Sequence, residues 1–262
     1  MTEEFSLERY REIVLRAQKN GYWLPTVSQV GVPPLTARRF LLIRHDVDIS
    51  VSAAYEMAVL ESRLNLATSY YIRLHCPFYN VFEQDTLKQI LEMRSMGHEI
   101  GFHYEALFFE QMGRDPLEGI LADIEIFEKL LGQKIVTISQ HLPSMSRVYP
   151  ELWDRYIDAY QPMLVRDIPY FGDSGRTWRE GCILEKIGKY DRMHTLIHPA
   201  YWTHWRENWE DNLRAHGESM KARIDADLSA LISQTRQYLA EREELDRKRA
   251  ARYGSPLTTP PG

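Results

Sequence analysis

The stretch FLLIRHDVDIS, residues 40 to 50, runs an apolar segment into a charged end, with Asp46 and Asp48 two residues apart and His45 just before them. Strand alternation sends residues two apart to the same face, so the carboxylates point together while His45 and Val47 point away. Two carboxylates so placed repel unless something positive lies between them. That points to a metal ion or a shared proton at the carboxyl end of a strand, where α/β folds bind ligands. The structural alternative is that one aspartate caps a helix beginning near Ser50 and the other pairs with Arg44.

Five of the nine histidines, His45, His75, His103, His141 and His198, fall at or just after the ends of expected strands. A lone histidine there is ordinarily structural, but five with Asp46 and Asp48 point to a metal-assisted site. An aspartate with two histidines suits Zn²⁺, or another divalent transition metal, and leaves positions open for water and substrate.

The elements that must hold these residues follow from hydrophobic period and capping residues. A helix is expected over 6–20 with Ser6 as N-cap, then a Pro/Gly-containing connection to about Ala37. After the strand ending in RHDVD come helix 51–64, strand 67–74, helix 85–96, strand 98–103, helix 116–131 and strand 134–140. Such alternation implies parallel pairing through right-handed crossovers. Beyond residue 150 the pattern loosens, with short strands expected near 163–167, 182–187 and 193–198. From 205 to about 250 a charged, helix-favouring stretch carries Leu213, Met220, Ile224, Leu228, Leu231 and Leu239 at three- and four-residue steps, one helix or two that would pack along the barrel or against a second copy. The stretch from 251 to 262, which ends in GSPLTTPPG, reads as a disordered tail.

The 262 residues are 44% hydrophobic, enough for one large core of single-barrel size. The net charge of −5, with no basic stripe, argues against nucleic acid. No apolar run reaches signal-peptide or membrane-span length, so a cytoplasmic protein is expected. Cys76 and Cys182, the two cysteines, have no metal-like spacing and read as reduced core or near-core residues.

The motifs RHDVD from Arg44, GHEIGFHYE from Gly97, DSGRTW from Asp173 and LIHP from Leu196 stand in the order and approximate spacing of those of polysaccharide deacetylases. Over roughly residues 40 to 202 the chain resembles that superfamily, and SYYIRLHCPFYN from Ser69 resembles its bacterial subgroup linked to surface-polysaccharide and lipopolysaccharide biosynthesis. The resemblance implies an α/β fold, a distorted, incomplete (β/α) barrel over 1–204, here with a helical extension over 205–250. It makes Asp46 the catalytic base, Asp48 a metal ligand, His103 the first ligand histidine and His98 a non-ligand. It makes His198 the acid that protonates the leaving amine, Asp173 its hydrogen-bonding partner and Trp178 a pocket wall. The family's base-orienting arginine would be Arg166 or Arg147.

The chain departs from the pattern at the second ligand histidine, whose position holds Leu107. His141, ending the strand expected beside that of His103, is the first substitute and His75 the second; with neither, Zn²⁺ would bind weakly. Arg44, His75, Tyr104, Trp178 and Trp202 are the expected substrate contacts, within a set of aromatic loop residues that could stack on sugars. The implied function is zinc-dependent N-deacetylation of an N-acetylated sugar or sugar conjugate, or hydrolysis of another small amide. The alternatives are a catalytically silent binding protein of the same fold and a hydrolase of non-sugar, cyclic amides.

Overall fold

The computed structural model describes residues 4–30, 38–204 and 206–254. Seven strands run Phe40–Val47 (β1), Ser69–Ile72 (β2), Glu99–Tyr104 (β3), Thr137–Gln140 (β4), Ile157–Asp158 (β5), Tyr170–Gly172 (β6) and Arg192–Ile197 (β7). The helices are Leu7–Lys19 (α1), Val27–Val30 (α2), Val51–Arg63 (α3), Gln84–Ser95 (α4), Ala106–Gln111 (α5), Pro116–Leu131 (α6), Pro162–Val165 (α7), Ile183–Lys186 (α8) and Trp209–Tyr253 (α9). All strand pairs are parallel, in the order β5-β4-β3-β2-β1-β7-β6. Because β5 and β6 end the order without pairing to each other, the sheet is an incomplete (β/α) barrel.

Every residue of β1 is buried, as befits a central parallel strand covered on both faces. Local chemistry sets the helix starts. Ser6 accepts from Arg9 N at 3.2 Å and Ser50 from Ala53 N at 3.1 Å. Helix α6 combines an Asp115 cap and Pro116 in its first turn with Gly132 at φ 65° beyond its end. In β3 glycine is needed at 101, where a Cβ would lie 2.5 Å from the Tyr71 ring and 2.9 Å from the Thr137 carbonyl oxygen.

Two expected strands are helices: 163–167 overlaps α7 and 182–187 overlaps α8, while β5 and β6 lie in the loops expected between the strands. Pro162 presets a helical φ at the start of α7, and segments as short as PMLV and ILEK carry too few residues to distinguish strand from helix by period. The connection over 31–37 and the tail residues 255–262 lie outside the described residues; 251–253, expected as tail, continue α9.

The chain divides into two units, 1–216 and 217–262. In the first, the start of α9 is tied down: Asn212 Nδ2 donates to the Thr203 carbonyl at 2.9 Å, and His216 Nε2 contacts that of Ala200 at 2.8 Å. The second is helix through Tyr253, with Ile224, Leu228, Leu231 and Leu239 exposed. Among the described residues no helix is long and apolar enough to cross a membrane.

Candidate metal centre and acid–base site

The carboxyl ends of β1, β3, β4 and β7 supply the site. Asp48 follows β1, His103 lies in β3, His141 follows β4 and His198 follows β7. The β3–β4 register sets His103 beside Ser139, which brings His141 to the same end of the sheet. Asp48 Oδ1 lies 3.2 Å from His103 Nε2 and 3.2 Å from His141 Nδ1, and the two nitrogens are 3.3 Å apart. His103 Nδ1 meets the Ser139 carbonyl at 2.8 Å, which assigns its proton to Nδ1 and leaves the Nε2 lone pair facing the cluster.

These donors fit a metal ion. Asp48 Oδ1 is buried and has no hydrogen-bond partner despite the two imidazoles beside it. Corners about 3.3 Å apart belong to a tetrahedron whose centre is about 2.0 Å from each, the distance at which Zn²⁺ takes histidine nitrogen and carboxylate oxygen. Asp48, His103 and His141 are the group able to hold a metal among the described residues. Burial pushes the Asp48 carboxyl up, but its contacts with His103 and His141 and the charges of His103 and His198 outweigh burial and hold it well below the usual carboxylate range.

Asp46 sits deeper. Ser139 Oγ donates to its two oxygens at 3.3 and 3.4 Å, Arg44 Nε lies 3.6 Å away and His103 Nε2 3.7 Å. Across the cluster, His198 Nε2 is 3.7 Å from Asp48 Oδ2, while its Nδ1 binds Asp173 Oδ1 at 2.6 Å. Trp202 Nε1 donates to the other oxygen of Asp173 at 2.7 Å, and the His198 backbone N–H donates to both. Burial lowers the His198 pKa, but Asp173, then Asp48 and Asp46, raise it to about 9, so the imidazole is cationic at neutral pH.

Other expected residues are elsewhere. Of the five histidines expected on one face, His45 and His75 are not there: His45 Nε2 contacts buried Glu61 at 2.9 Å, and His75 Nε2 contacts Asp123 at 2.7 Å with its ring stacked 3.8 Å from Phe108. His98 is used by Thr68 N and the Ala58 carbonyl. Arg44, Tyr104 and Trp202, expected against substrate, are closed off from solvent. Arg44 donates to the Ala159 carbonyl at 2.9 Å and Tyr170 Oη at 3.1 Å and lies 4.1 Å over the Tyr160 ring, and Tyr104 donates to Asp158 at 2.9 Å. Arg166 and Arg147 pair at the surface with Asp167 and Glu151, so the arginine beside Asp46 is Arg44, from its own strand. Trp178 is half-buried, stacked 6.0 Å from Phe5 and edge-on to Trp202. The sequence reading missed Ser139, which touches both Asp46 and His103; its place two residues before His141 on one strand face was the available signal.

Fold and cluster together define an incomplete parallel α/β barrel with a carboxylate–histidine centre at its carboxyl end. Among solved structures the chain is similar to the Streptococcus pyogenes deacetylase PplD in complex with acetate, at 11% identity and TM-score 0.44, covering 74% of this chain and 81% of that one. It is also similar to a variant of the Bacillus subtilis peptidoglycan deacetylase PdaC (15%, TM-score 0.42, 81% and 98% covered) and to BA3943, a CE4 family pseudoenzyme from Bacillus anthracis (11%, TM-score 0.40, 71% and 62% covered). No family model and no curated protein matches the chain.

Proposed function

We propose that the chain is a zinc-dependent amide hydrolase that removes the acetyl group from an N-acetylated sugar or sugar conjugate of surface-glycan biosynthesis. The observation that carries the reading is the triangle of Asp48 Oδ1, His103 Nε2 and His141 Nδ1, with edges of 3.2 to 3.3 Å and an unpartnered carboxylate oxygen at one corner. The motif resemblance supports the acetamido group as substrate.

Asp48, His103 and His141 would hold the ion, which would supply Lewis acidity toward an amide carbonyl and a water. Asp46, held by Ser139 and Arg44, accepts the proton as the water oxygen attacks the carbonyl carbon. His198, cationic and oriented by Asp173, gives its proton to the departing nitrogen as the C–N bond breaks. Base and acid are thus separate groups, Asp46 beside Ser139 and Arg44 and His198 beside Asp173.

Full-length protein purified without chelator should carry about one Zn²⁺ per chain. His103→Ala and His141→Ala should each lose it, while His75→Ala should keep it. A panel of N-acetylated sugars and cyclic imides, scored for acetate and primary amine, identifies the substrate. A second reading rests on the same short contacts: Asp48 between imidazoles can form a metal-free ion network in a silent binding protein. Wild-type protein that is metal-free and resists reconstitution would establish that reading instead.

A further inference from the structure

The stretch IRLHCPFYN, residues 72 to 80, contributes no side chain to the cluster, yet its polar atoms converge on the backbone of Asp48. Tyr79 Oη donates to the Val47 carbonyl at 2.7 Å, and Arg73 Nη1 and Cys76 Sγ each reach the Asp48 carbonyl at 3.3 Å. The same tyrosine oxygen accepts from the Arg73 N–H at 3.0 Å, closing the grip on itself.

The other edge of Arg73 faces β3. Its Nε and Nη2 donate to Glu105 Oε1 at 2.9 and 2.5 Å, and Glu105 Oε2 accepts from the His75 N–H at 2.9 Å. Glu105 stands two residues after His103 at the start of α5, where its side chain makes no capping hydrogen bond. Sheet order explains why such a link is needed. Asp48 follows β1 and His103 lies in β3, two strands separated by β2, so they run about 9.6 Å apart and share no backbone hydrogen bond.

We propose that Arg73, with Tyr79, is a positioning brace that spans β2 and sets the separation between Asp48 and His103. The inference rests on the metal-site reading above. Metal–ligand distances tolerate only about 0.2 Å, so loosening the brace costs affinity before it costs the fold. A planar guanidinium reaches Glu105 through two nitrogens and the Asp48 carbonyl through a third, whereas an ammonium at the end of a lysine cannot span both with that geometry.

The test compares full-length wild type, Arg73→Lys and Tyr79→Phe. Zinc affinity is measured by competition with a chromogenic chelator, Co²⁺ substitution is followed by its d–d absorption, and thermal unfolding of the metal-free protein is recorded in parallel. Arg73→Lys should weaken zinc about 10- to 100-fold, the range for losing a residue that orients a metal ligand, and Tyr79→Phe should weaken it less. Both should alter the Co²⁺ spectrum. Tyr79→Phe, which removes one oxygen, serves if Arg73→Lys does not fold. Variants that melt earlier yet bind zinc as tightly as wild type, with the wild-type Co²⁺ spectrum, would overturn the brace and leave the metal site standing. Wild-type protein without zinc affinity would overturn both.

Discussion

Strand β1 carries two carboxylate–histidine clusters, one behind it and one at its end, and they differ in how completely the carboxylate is used. Behind the strand, buried Glu61 receives the Tyr10 hydroxyl and His45 on one oxygen and Thr68 and Tyr70, at 2.7 and 2.6 Å, on the other. Burial pushes this carboxyl up, but His45, His98 and Tyr10 outweigh it and hold it below the usual range. At the end of the strand, Asp48 has two imidazoles at 3.2 Å, yet its Oδ1 has no hydrogen-bond partner and its side chain is 23% exposed. Both clusters have the residue types of a site. Saturated hydrogen bonding marks the first as a structural knot joining α1, α3, β1 and β2, and the unfilled acceptor marks the second as open to a ligand.

The sharpest break between the two comes from removing one proton acceptor at the open cluster. Asp46→Asn keeps shape but not basicity, so kcat should fall about 10²- to 10⁴-fold with zinc content unchanged, read by steady-state kinetics beside metal analysis. If zinc is lost as well, Asp46 is a ligand and the assignment of base and ligand is reversed.

Glu61→Gln probes the closed cluster and should act in the opposite sense. It leaves buried imidazoles without their counter-charge and should cost about 3 kcal/mol of stability in urea unfolding. The protein that remains folded should bind zinc as wild type does. Weakened zinc binding at unchanged stability would show that the two clusters are one system.

The smallest effect is in pH. The His198 pKa is raised from 6.5 to about 9, so its contribution to metal-free stability is complete below about 6.5 and is lost as pH rises through about 9. On the proposed mechanism, loss of this proton gives kcat/KM an alkaline limb. Asp173→Asn, which removes the main raising charge, should move that limb to lower pH in a pH–rate profile. A limb that stays in place would assign it to another group.

The alternation of β1, β2, β3 and β4 with their helices was legible because each strand is a buried run and each helix brings its own cap, as Ser6, Ser50 and Asp115 show. Strands β5 and β6 were not legible, since two or three residues carry no period and are held by their neighbours in the sheet. The same holds for side chains. His45, His75 and His103 all sit near strand ends, and nothing in their neighbours along the chain tells which meets a buried glutamate, which an aspartate on α6 and which the open cluster.

Residue type and spacing by themselves determined the parallel α/β class and the pairing of Asp46 with Asp48 on one face, because these depend on period and chemistry within a few residues. Tertiary structure alone decided that His141 stands 3.2 Å from Asp48, that Arg44 rather than Arg147 or Arg166 lies beside Asp46, and that Arg73 links β1 to β3. Those pairs are joined across the sheet, where strand order and register, set by burial over the whole domain, choose which distant side chains meet.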